Sequence, residues 1–173
     1  MNEKRRLLGM TLDELKGVAF EAGLPGYAAK QMADWLYKKK VTSIAAMTNI
    51  ASAKRALLEK NFEVGAVPPS DLMKSVDGTI KYLYPAGPGN FVESVYIPTE
   101  DRATLCVSSQ VGCKMNCLFC MTGKQGFTKN LSANEILNQI QSLPETEELT
   151  NIVFMGMGEP LDNVDELFKV LEI

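Results

Sequence analysis

The chain has 173 residues, of which 46% are hydrophobic, and its formal net charge at pH 7 is −3. This length allows one domain with a smaller appendage, and the composition fits a globular protein with a real core. No run approaches the roughly 18 apolar residues of a transmembrane helix, and the charged residues 1–6 lack the apolar core of a signal peptide. We therefore expect a cytoplasmic protein without a membrane span.

The charge is unevenly distributed along the chain. Residues 1–60 contain eleven Lys and Arg against six Asp and Glu, a net charge of +5, and the remainder contains seven against fifteen, a net −8. A basic segment joined to an acidic one is typical of a protein whose basic part contacts a polyanion such as RNA. A lysine-rich helix surface in water would give the same count, so charge alone leaves both interpretations open.

Residues 1–65 are predicted to form a small helical domain. Thr11 and Glu14 have the spacing of a capping box at the start of one helix, and a second amphipathic helix follows. Trp35 lies at helical spacing within the apolar face of the second helix, so we expect a core residue and not a base-stacking one. The lysines at residues 38–40 form the densest positive spot, for which phosphate contact is the favoured role over plain solvation.

Residues 66–98 are predicted to form a β linker. Asp77-Gly78 between two β-prone runs predicts a hairpin, and residues 91–97 predict a further strand with apolar residues at alternate positions. Glu93 falls on the same face as those apolar residues. A carboxylate there is either in solvent at a strand margin or enclosed in a pocket, and spacing alone favours the strand margin.

Residues 99–173 are predicted to begin a parallel β/α array. A short strand over residues 104–108 leads into a cysteine loop, a capped helix follows, and a buried strand over residues 151–155 leads into a glycine-rich loop. In such arrays the sites lie at the C-terminal ends of the strands, where both loops are expected. The predicted fold class is therefore α/β, with a helical N-terminal domain before the array.

Three of the four cysteines, Cys113, Cys117 and Cys120, are spaced C-x3-C-x2-C, and Cys106 lies upstream of them. Three thiolates on one loop can hold three irons of a [4Fe–4S] cluster and leave the fourth iron open to a reactant, whereas an electron carrier uses four cysteines. A zinc site made of all four cysteines is the main alternative. Structural zinc ligands usually come as two Cys-x2–4-Cys pairs on separate loops, which this sequence does not show.

The cysteine loop and the later run Gly156-Met157-Gly158-Glu159-Pro160 together resemble the radical S-adenosylmethionine (SAM) superfamily. In that superfamily the open iron chelates the amino and carboxylate groups of SAM, and the second motif contacts SAM. Within it, the chain resembles the RlmN family of 23S rRNA and tRNA adenine-C2 methyltransferases through residues 92–98, 102–113, 125–127 and 155–161. The resemblance implies a basic RNA-binding-like domain, a β-hairpin linker and the first β/α units of a partial TIM-type barrel.

The resemblance also implies seven site residues: the cluster ligands Cys113, Cys117 and Cys120, the SAM contacts Gly158 and Glu159, the base Glu93, and the thiol Cys106. Glu93 is implied to remove the C2 proton of adenosine, which reverses the interpretation from spacing alone. Cys106 is implied to release the protein–RNA adduct by forming a disulfide with a second cysteine that carries the methyl group.

The cofactors implied by the resemblance are a [4Fe–4S] cluster and SAM, and the implied partners are 23S rRNA, tRNA and an electron donor such as flavodoxin or ferredoxin. A monomer is expected. Members of the family are longer, and the methyl-carrying cysteine lies in the part that this sequence lacks, so we expect an N-terminal half that keeps the cluster ligands without completing methylation alone. The alternatives are the related C8 rRNA methyltransferase of antibiotic resistance, a non-catalytic RNA-binding module, and a simple electron-transfer iron–sulfur protein.

Overall fold

The computed structural model describes residues 4–173, so the first three residues of the predicted helical region, which also begin the charged segment 1–6, lie outside the described part of the chain. The chain divides into two compact units. The first runs as far as Ala66 and includes residues 171–173, and the second spans Val67–Val170. Among the described residues, no helix is long and apolar enough to cross a membrane.

The first unit is largely helical, as predicted. Its elements are a short strand β1 (Arg5–Arg6), the helices α1 (Leu12–Glu21), α2 (Ala28–Ala33) and α3 (Ser52–Asn61), and a second short strand β2 (Phe62–Glu63). A π-helical turn, Asp34–Lys38, continues α2. The predicted capping box opens α1, because the Glu14 N–H donates to Thr11 Oγ1 and the Thr11 N–H donates to the Glu14 carboxylate at 2.8 Å.

The two short strands correct the prediction that this region is helical throughout. β1 pairs in parallel with β2, and the Arg5 guanidinium lies 4.7 Å from the centre of the Phe62 ring. Strands of two residues carry no hydrophobic period, so the sequence pattern could not reveal them.

Trp35 is a partly buried residue that packs against the core of the first unit. Its indole N–H donates to Asn49 Oδ1 at 2.6 Å, and the Lys39 ammonium lies 3.4 Å from the ring centre. The predicted core contact is therefore present, but part of the ring reaches the surface, where a lysine of the predicted positive spot lies over it.

The second unit is built on a five-stranded sheet. Its elements in chain order are β3 (Asp71–Lys74), β4 (Ile80–Pro85), β5 (Phe91–Pro98), β6 (Ala103–Cys106), β7 (Gln110–Gly112), α4 (Met121–Lys124), β8 (Phe127–Asn130), α5 (Ala133–Gln141), β9 (Asn151–Val153), a 3-10 helix (Pro160–Asn163) and α6 (Val164–Glu172), of which residues 171–172 count with the first unit. The order in the sheet is β3-β4-β5-β6-β9, and β7 pairs separately with β8. β9 joins β6 in parallel, while the other neighbours in the sheet are antiparallel. The predicted α/β class, with a β hairpin before the first β/α unit, is confirmed.

Local turn and cap chemistry fixes the ends of these elements. In the predicted Asp77-Gly78 turn, the Asp77 carboxylate accepts the Thr79 N–H at 3.0 Å and Gly78 has a φ of +87°. A second capping box opens α5, where the Ser132 N–H donates to the Glu135 carboxylate at 3.0 Å. The hairpin and both capping boxes were predictable because their partners lie within three residues of each other.

The sheet has one covered face and one open face. The covered face carries the buried side chains Ile80, Tyr82, Tyr84, Val92, Ser94, Tyr96, Ala103 and Leu105. The open face carries the half-buried or exposed side chains Leu83, Phe91, Glu93, Val95, Ile97, Thr104, Cys106 and Val153. The alternation that begins at Phe91 therefore marks the open face of β5, because both faces of this strand carry apolar residues and alternation cannot say which one is covered.

β9 is shorter and more exposed than the buried strand predicted over residues 151–155. It ends at Val153, Ile152 is 42% exposed, and Met155, beyond the strand, is 80% exposed. β9 stands at the edge of the sheet, which explains why an apolar run of the buried type is found here in an exposed position.

Candidate cofactor and catalytic site

The two predicted loops leave the sheet at the ends of neighbouring parallel strands. β6 ends at Cys106 and leads through β7 into the cysteine loop, residues 113–120, and β9 ends at Val153 and leads into the glycine-rich loop. Cys106 and Val153 are register partners, so the two loops leave the sheet at the same end, the one where β6 and β9 have their C-termini. This end of the sheet is where open and closed β/α folds place their sites.

The cysteine loop is a tight turn closed by backbone hydrogen bonds. The Cys113 N–H donates to the Gly126 carbonyl at 3.1 Å, and the Cys120 N–H donates to the Cys117 carbonyl at 3.0 Å. Asn116 adopts a left-handed conformation with a φ of +48°, which asparagine tolerates better than most residues. The loop therefore turns back on itself between its first and second cysteines.

The donor set of this loop fits an iron–sulfur cluster in its chemistry. Cys113 is buried, Cys120 is half-buried and Cys117 is exposed. The backbone N–H of Gly123 holds the pKa of the Cys120 thiol below its ordinary value, and the thiolate is the form that iron binds. Within the described residues, however, no three His, Cys, Asp or Glu side chains already converge on a point that could hold a metal ion.

The glycine-rich loop packs closely on β7 through residues 158–159, which we call the SAM turn after the contact that the resemblance predicts for them. Gly158 has a φ of +97°, and a Cβ atom there would lie 2.5 Å from the Cβ of Gln110. The Glu159 N–H donates to Gln110 Oε1 at 2.9 Å, and the Glu159 carboxylate accepts the Leu161 N–H at 3.1 Å. Only glycine fits at residue 158, both for its conformation and for its contact.

Three buried polar residues connect β5, the segment after β6, α5 and the glycine-rich loop, and none of them was predicted from the sequence. Ser108 Oγ accepts the Met157 N–H at 2.9 Å and donates to the Glu93 carbonyl at 2.5 Å. Gln139, on α5, donates to the Ser108 carbonyl at 3.0 Å and accepts the Ser108 N–H at 2.9 Å. Ser108, Gln110 and Gln139 are all 0% exposed. Ser108 and Gln110 belong to the run Ser108-Ser109-Gln110, which is part of the resemblance quoted above, but nothing in its spacing predicts burial, and Gln139 lies outside that resemblance.

Glu93 and Cys106 lie near each other on the open face of the sheet. Cys106 is the register partner of Val95, two residues along β5 from Glu93, so both side chains project from the same face. Because β5 runs antiparallel to β6, Glu93 lies toward the end of the sheet from which the two loops leave. The Glu93 carboxylate is ion-paired with Lys81, whose Nζ lies 2.9 Å from Glu93 Oε1. The Glu93 side chain is 42% exposed and the Lys81 side chain is 44% exposed.

Glu93 stands inside β5, on an open face and not in an enclosed pocket, so its half-exposed carboxylate is closer to the solvent alternative than to the pocket, although it is not at the strand margin. Burial raises the pKa of the Cys106 thiol above its ordinary value, and all four cysteines are free thiols. The open face therefore presents one paired carboxylate and one protonated thiol beside the two loops. Such an arrangement can accept a proton and supply a thiol to a molecule lying on the sheet.

Comparison with known proteins matches both units. The family model described as "Ribosomal RNA large subunit methyltransferase N-terminal domain" matches residues 5–64, and the one described as "Radical SAM superfamily" matches residues 107–173.

Curated relatives match along the whole chain. A probable dual-specificity RNA methyltransferase RlmN from Parabacteroides distasonis is 83% identical over 173 residues, which is 100% of this chain and 50% of that protein. The corresponding protein of Bacteroides thetaiotaomicron is 64% identical over the same length, and the dual-specificity RNA methyltransferase RlmN of Geobacter sulfurreducens is 46% identical over 95% of this chain. The chain spans about half the length of the curated relatives it matches.

A solved structure agrees with these relatives. The crystal structure of a radical SAM methyltransferase from Sphaerobacter thermophilus superposes with a TM-score of 0.88 at 36% identity, covering 98% of this chain and 51% of that one. The family models match residues 5–64 and 107–173, and the curated relatives and the solved structure also cover the residues between them. The chain belongs to the RlmN family of radical SAM methyltransferases and corresponds to an N-terminal half of its members.

Proposed function

We propose that this chain is the cluster-binding and SAM-binding part of an enzyme that methylates C2 of adenosine in 23S rRNA and tRNA. The observation that carries the proposal is the position of Glu93 and Cys106 on the open sheet face, at the end of the sheet from which the cysteine loop and the SAM turn leave. The names of the relatives support an RNA substrate. The activity is proposed for the whole protein, because the chain spans half of those relatives.

The target atom explains why such a site needs more than a bound methyl donor. Adenine C2 is an electron-poor sp² carbon without a nucleophilic lone pair, so it cannot attack the methyl group of SAM directly. A cluster held by Cys113, Cys117 and Cys120, with SAM held at the SAM turn, supplies the radical chemistry that a polar mechanism lacks. The protein must then take away the C2 proton and free itself from the RNA.

Glu93 is proposed to accept the C2 proton. Its carboxylate is accessible on the open face, and the Lys81 ammonium 2.9 Å away fixes its orientation. A base that must meet a nucleobase needs an open approach, which this face provides. Lys81 also offsets the carboxylate charge beside a polyanionic substrate.

Cys106 is proposed to release the RNA by forming a disulfide with the cysteine that carries the methyl group. It is the one cysteine outside the C-x3-C-x2-C run, and its side chain shares the open face with Glu93. The partner cysteine belongs to the part of the whole protein that this chain does not span. The first unit is proposed to hold the RNA. A flavodoxin or ferredoxin is proposed to supply the electrons, and the reaction is proposed to take place in the cytoplasm.

Anaerobic cleavage of SAM tests the proposal. The chain is reconstituted with iron and sulfide, reduced, and incubated with SAM, and the methionine and 5′-deoxyadenosine formed are measured by mass spectrometry. We expect both products from the chain and from Cys106→Ala, and neither from Cys117→Ala. A reconstituted chain that leaves SAM intact, or a Cys106→Ala variant that loses cleavage together with its iron, would contradict the assignment of the ligands.

A further inference from the structure

The SAM turn is attached to the cysteine loop by a chain of polar contacts that passes through Gln110. Gln110 is 0% exposed, and each polar atom of its side chain has a partner on another segment. Its Oε1 accepts the Glu159 N–H at 2.9 Å, and its Nε2 donates to Asn130 Oδ1 and to Asp162 Oδ2, each at 2.8 Å. A buried amide with both ends paired is fixed in position.

The charge on Asp162 decides which way this amide points. A carboxylate only accepts hydrogen bonds, so Gln110 must direct its NH2 group toward Asp162, and its oxygen then faces the Glu159 N–H. Reversing the amide would set oxygen against carboxylate and NH2 against N–H. The orientation that holds the SAM turn therefore depends on Asp162.

Asp162 is in turn held by a residue of the cysteine loop. Lys114, next to Cys113, places its ammonium 2.9 Å from the same Oδ2 atom that Gln110 contacts. The Lys114 ammonium also lies 4.3 Å from the centre of the Phe127 ring. The hydrogen bond from Lys114 is the main cause that holds the pKa of the Asp162 carboxyl below its ordinary value, and the hydrogen bond from Gln110 is the next.

We propose that Lys114, Asp162 and Gln110 form a positioning relay that holds the SAM turn in register with the cysteine loop. The inference rests on the proposed binding of SAM at residues 158–159. An open iron and the SAM turn must both contact one small molecule, so their separation has to be fixed, and the relay is a chain of side-chain contacts between the two loops that helps to fix it. The three residues act through the SAM turn and are positioning residues.

The relay is tested by breaking its most exposed member. Lys114 is 48% exposed, so Lys114→Met should fold, and the methionine thioether can pack against the Phe127 ring in place of the ammonium. Lys114→Arg keeps the charge. The matched control is Lys129→Met, which breaks the 2.6 Å ion pair between Lys129 on β8 and Glu135 on α5 without touching either loop.

Two measurements are made on each variant. The first is hydrogen exchange at the Glu159 amide in the cluster-free chain, and the second is the affinity for SAM of the reconstituted chain, at equal iron content. We expect Lys114→Met to speed exchange about threefold and to weaken SAM binding about threefold. For Gln110→Met we expect a change of about tenfold in both quantities. Lys114→Arg should restore both values, and Lys129→Met should leave both unchanged.

The relay is overturned if Lys114→Met behaves like Lys129→Met in the exchange measurement, whatever its effect on iron. It is also overturned if Lys114→Arg fails to restore the exchange rate. If the unaltered chain binds no SAM, the proposed function fails, but the exchange measurement in the cluster-free chain still decides whether the relay exists.

Discussion

Two cysteines of the second unit show how local contacts set thiol chemistry. At Cys120, the N–H of Gly123 stabilises the thiolate and lowers the pKa, whereas at Cys106, the last residue of β6, partial burial stabilises the neutral thiol and raises the pKa. The proposed roles need this difference, because a cluster ligand must be a thiolate. A thiol that acts late in a reaction is better kept protonated until its partner arrives.

The raised pKa of Cys106 predicts a shifted pH dependence of its alkylation. Only the thiolate reacts with iodoacetamide, so the alkylation rate should reach half its maximum at a higher pH in the folded chain than in urea, where the pKa returns to about 8.5. The shift is measured by mass spectrometry of the peptide that contains Cys106, whose alkylation rate is determined from about pH 7 to about pH 10, on both sides of that value. Identical midpoints in the folded and unfolded chain would contradict it.

At the scale of elements, helix caps and the hairpin turn were predictable from the sequence, but which face of β5 is covered was not. Capping boxes and the Asp77-Gly78 turn act between residues close in sequence, so the sequence specifies them directly. The covered face of β5 depends on what packs against it, and the antiparallel pairing of β7 with β8 depends on residues far along the chain. Both are set by tertiary contacts that no local pattern records.

The close packing of the SAM turn on β7 predicts an unequal response of two glycines to substitution. Gly158 and Gly87 have nearly the same φ, +97° and +100°, but a Cβ atom at residue 87 meets nothing within 4 Å. Gly87→Ala should therefore lower the free energy of unfolding by about 1–2 kcal/mol for its conformation alone. Gly158→Ala should lose about 1–3 kcal/mol more, since its methyl group must displace Gln110.

Urea unfolding of the two variants and of the unaltered chain measures this difference. Gly87→Ala serves as the control for the conformational cost that both substitutions share. Equal losses for the two glycines would show that the turn moves away from β7 without resistance.

At the scale of the whole molecule, the two units carry opposite charge and separate candidate tasks. The cysteine and glycine motifs lie in short runs, so the sequence alone was enough to propose the site residues of the second unit. The residues that join those runs, Ser108, Gln110 and Gln139, could not be predicted, because a buried glutamine or serine looks like any surface residue until its partners are known. The basic charge of the first unit was visible in composition, but not the contacts that its lysines make.

The basic unit predicts salt-dependent RNA binding through the lysines at its densest positive spot. Lys38 is paired with Asp34 at 2.9 Å and Lys39 lies over Trp35, yet both remain exposed. Replacing residues 38–40 by glutamine should weaken RNA binding and reduce the slope of log K against log salt by about 2 to 3. The same charge change at the exposed residues Lys16, Lys60 and Lys74 is the control.

Filter binding to a 23S rRNA fragment over a range of salt concentrations measures both slopes. A loss of slope that is equal for the two triple variants would indicate general electrostatic attraction and would contradict a phosphate contact at residues 38–40.

Cys113, Cys117 and Cys120 are proposed to hold a [4Fe–4S] cluster whose open iron binds SAM. Electron paramagnetic resonance of the reduced, anaerobically reconstituted chain, recorded with and without SAM, tests it most directly, with Cys106→Ala as the companion variant. We predict a cluster signal that SAM changes, and the same behaviour in Cys106→Ala, because Cys106 is outside the ligand set. A signal that SAM leaves unchanged, or one that disappears with Cys106, would show a closed four-cysteine site and contradict the account.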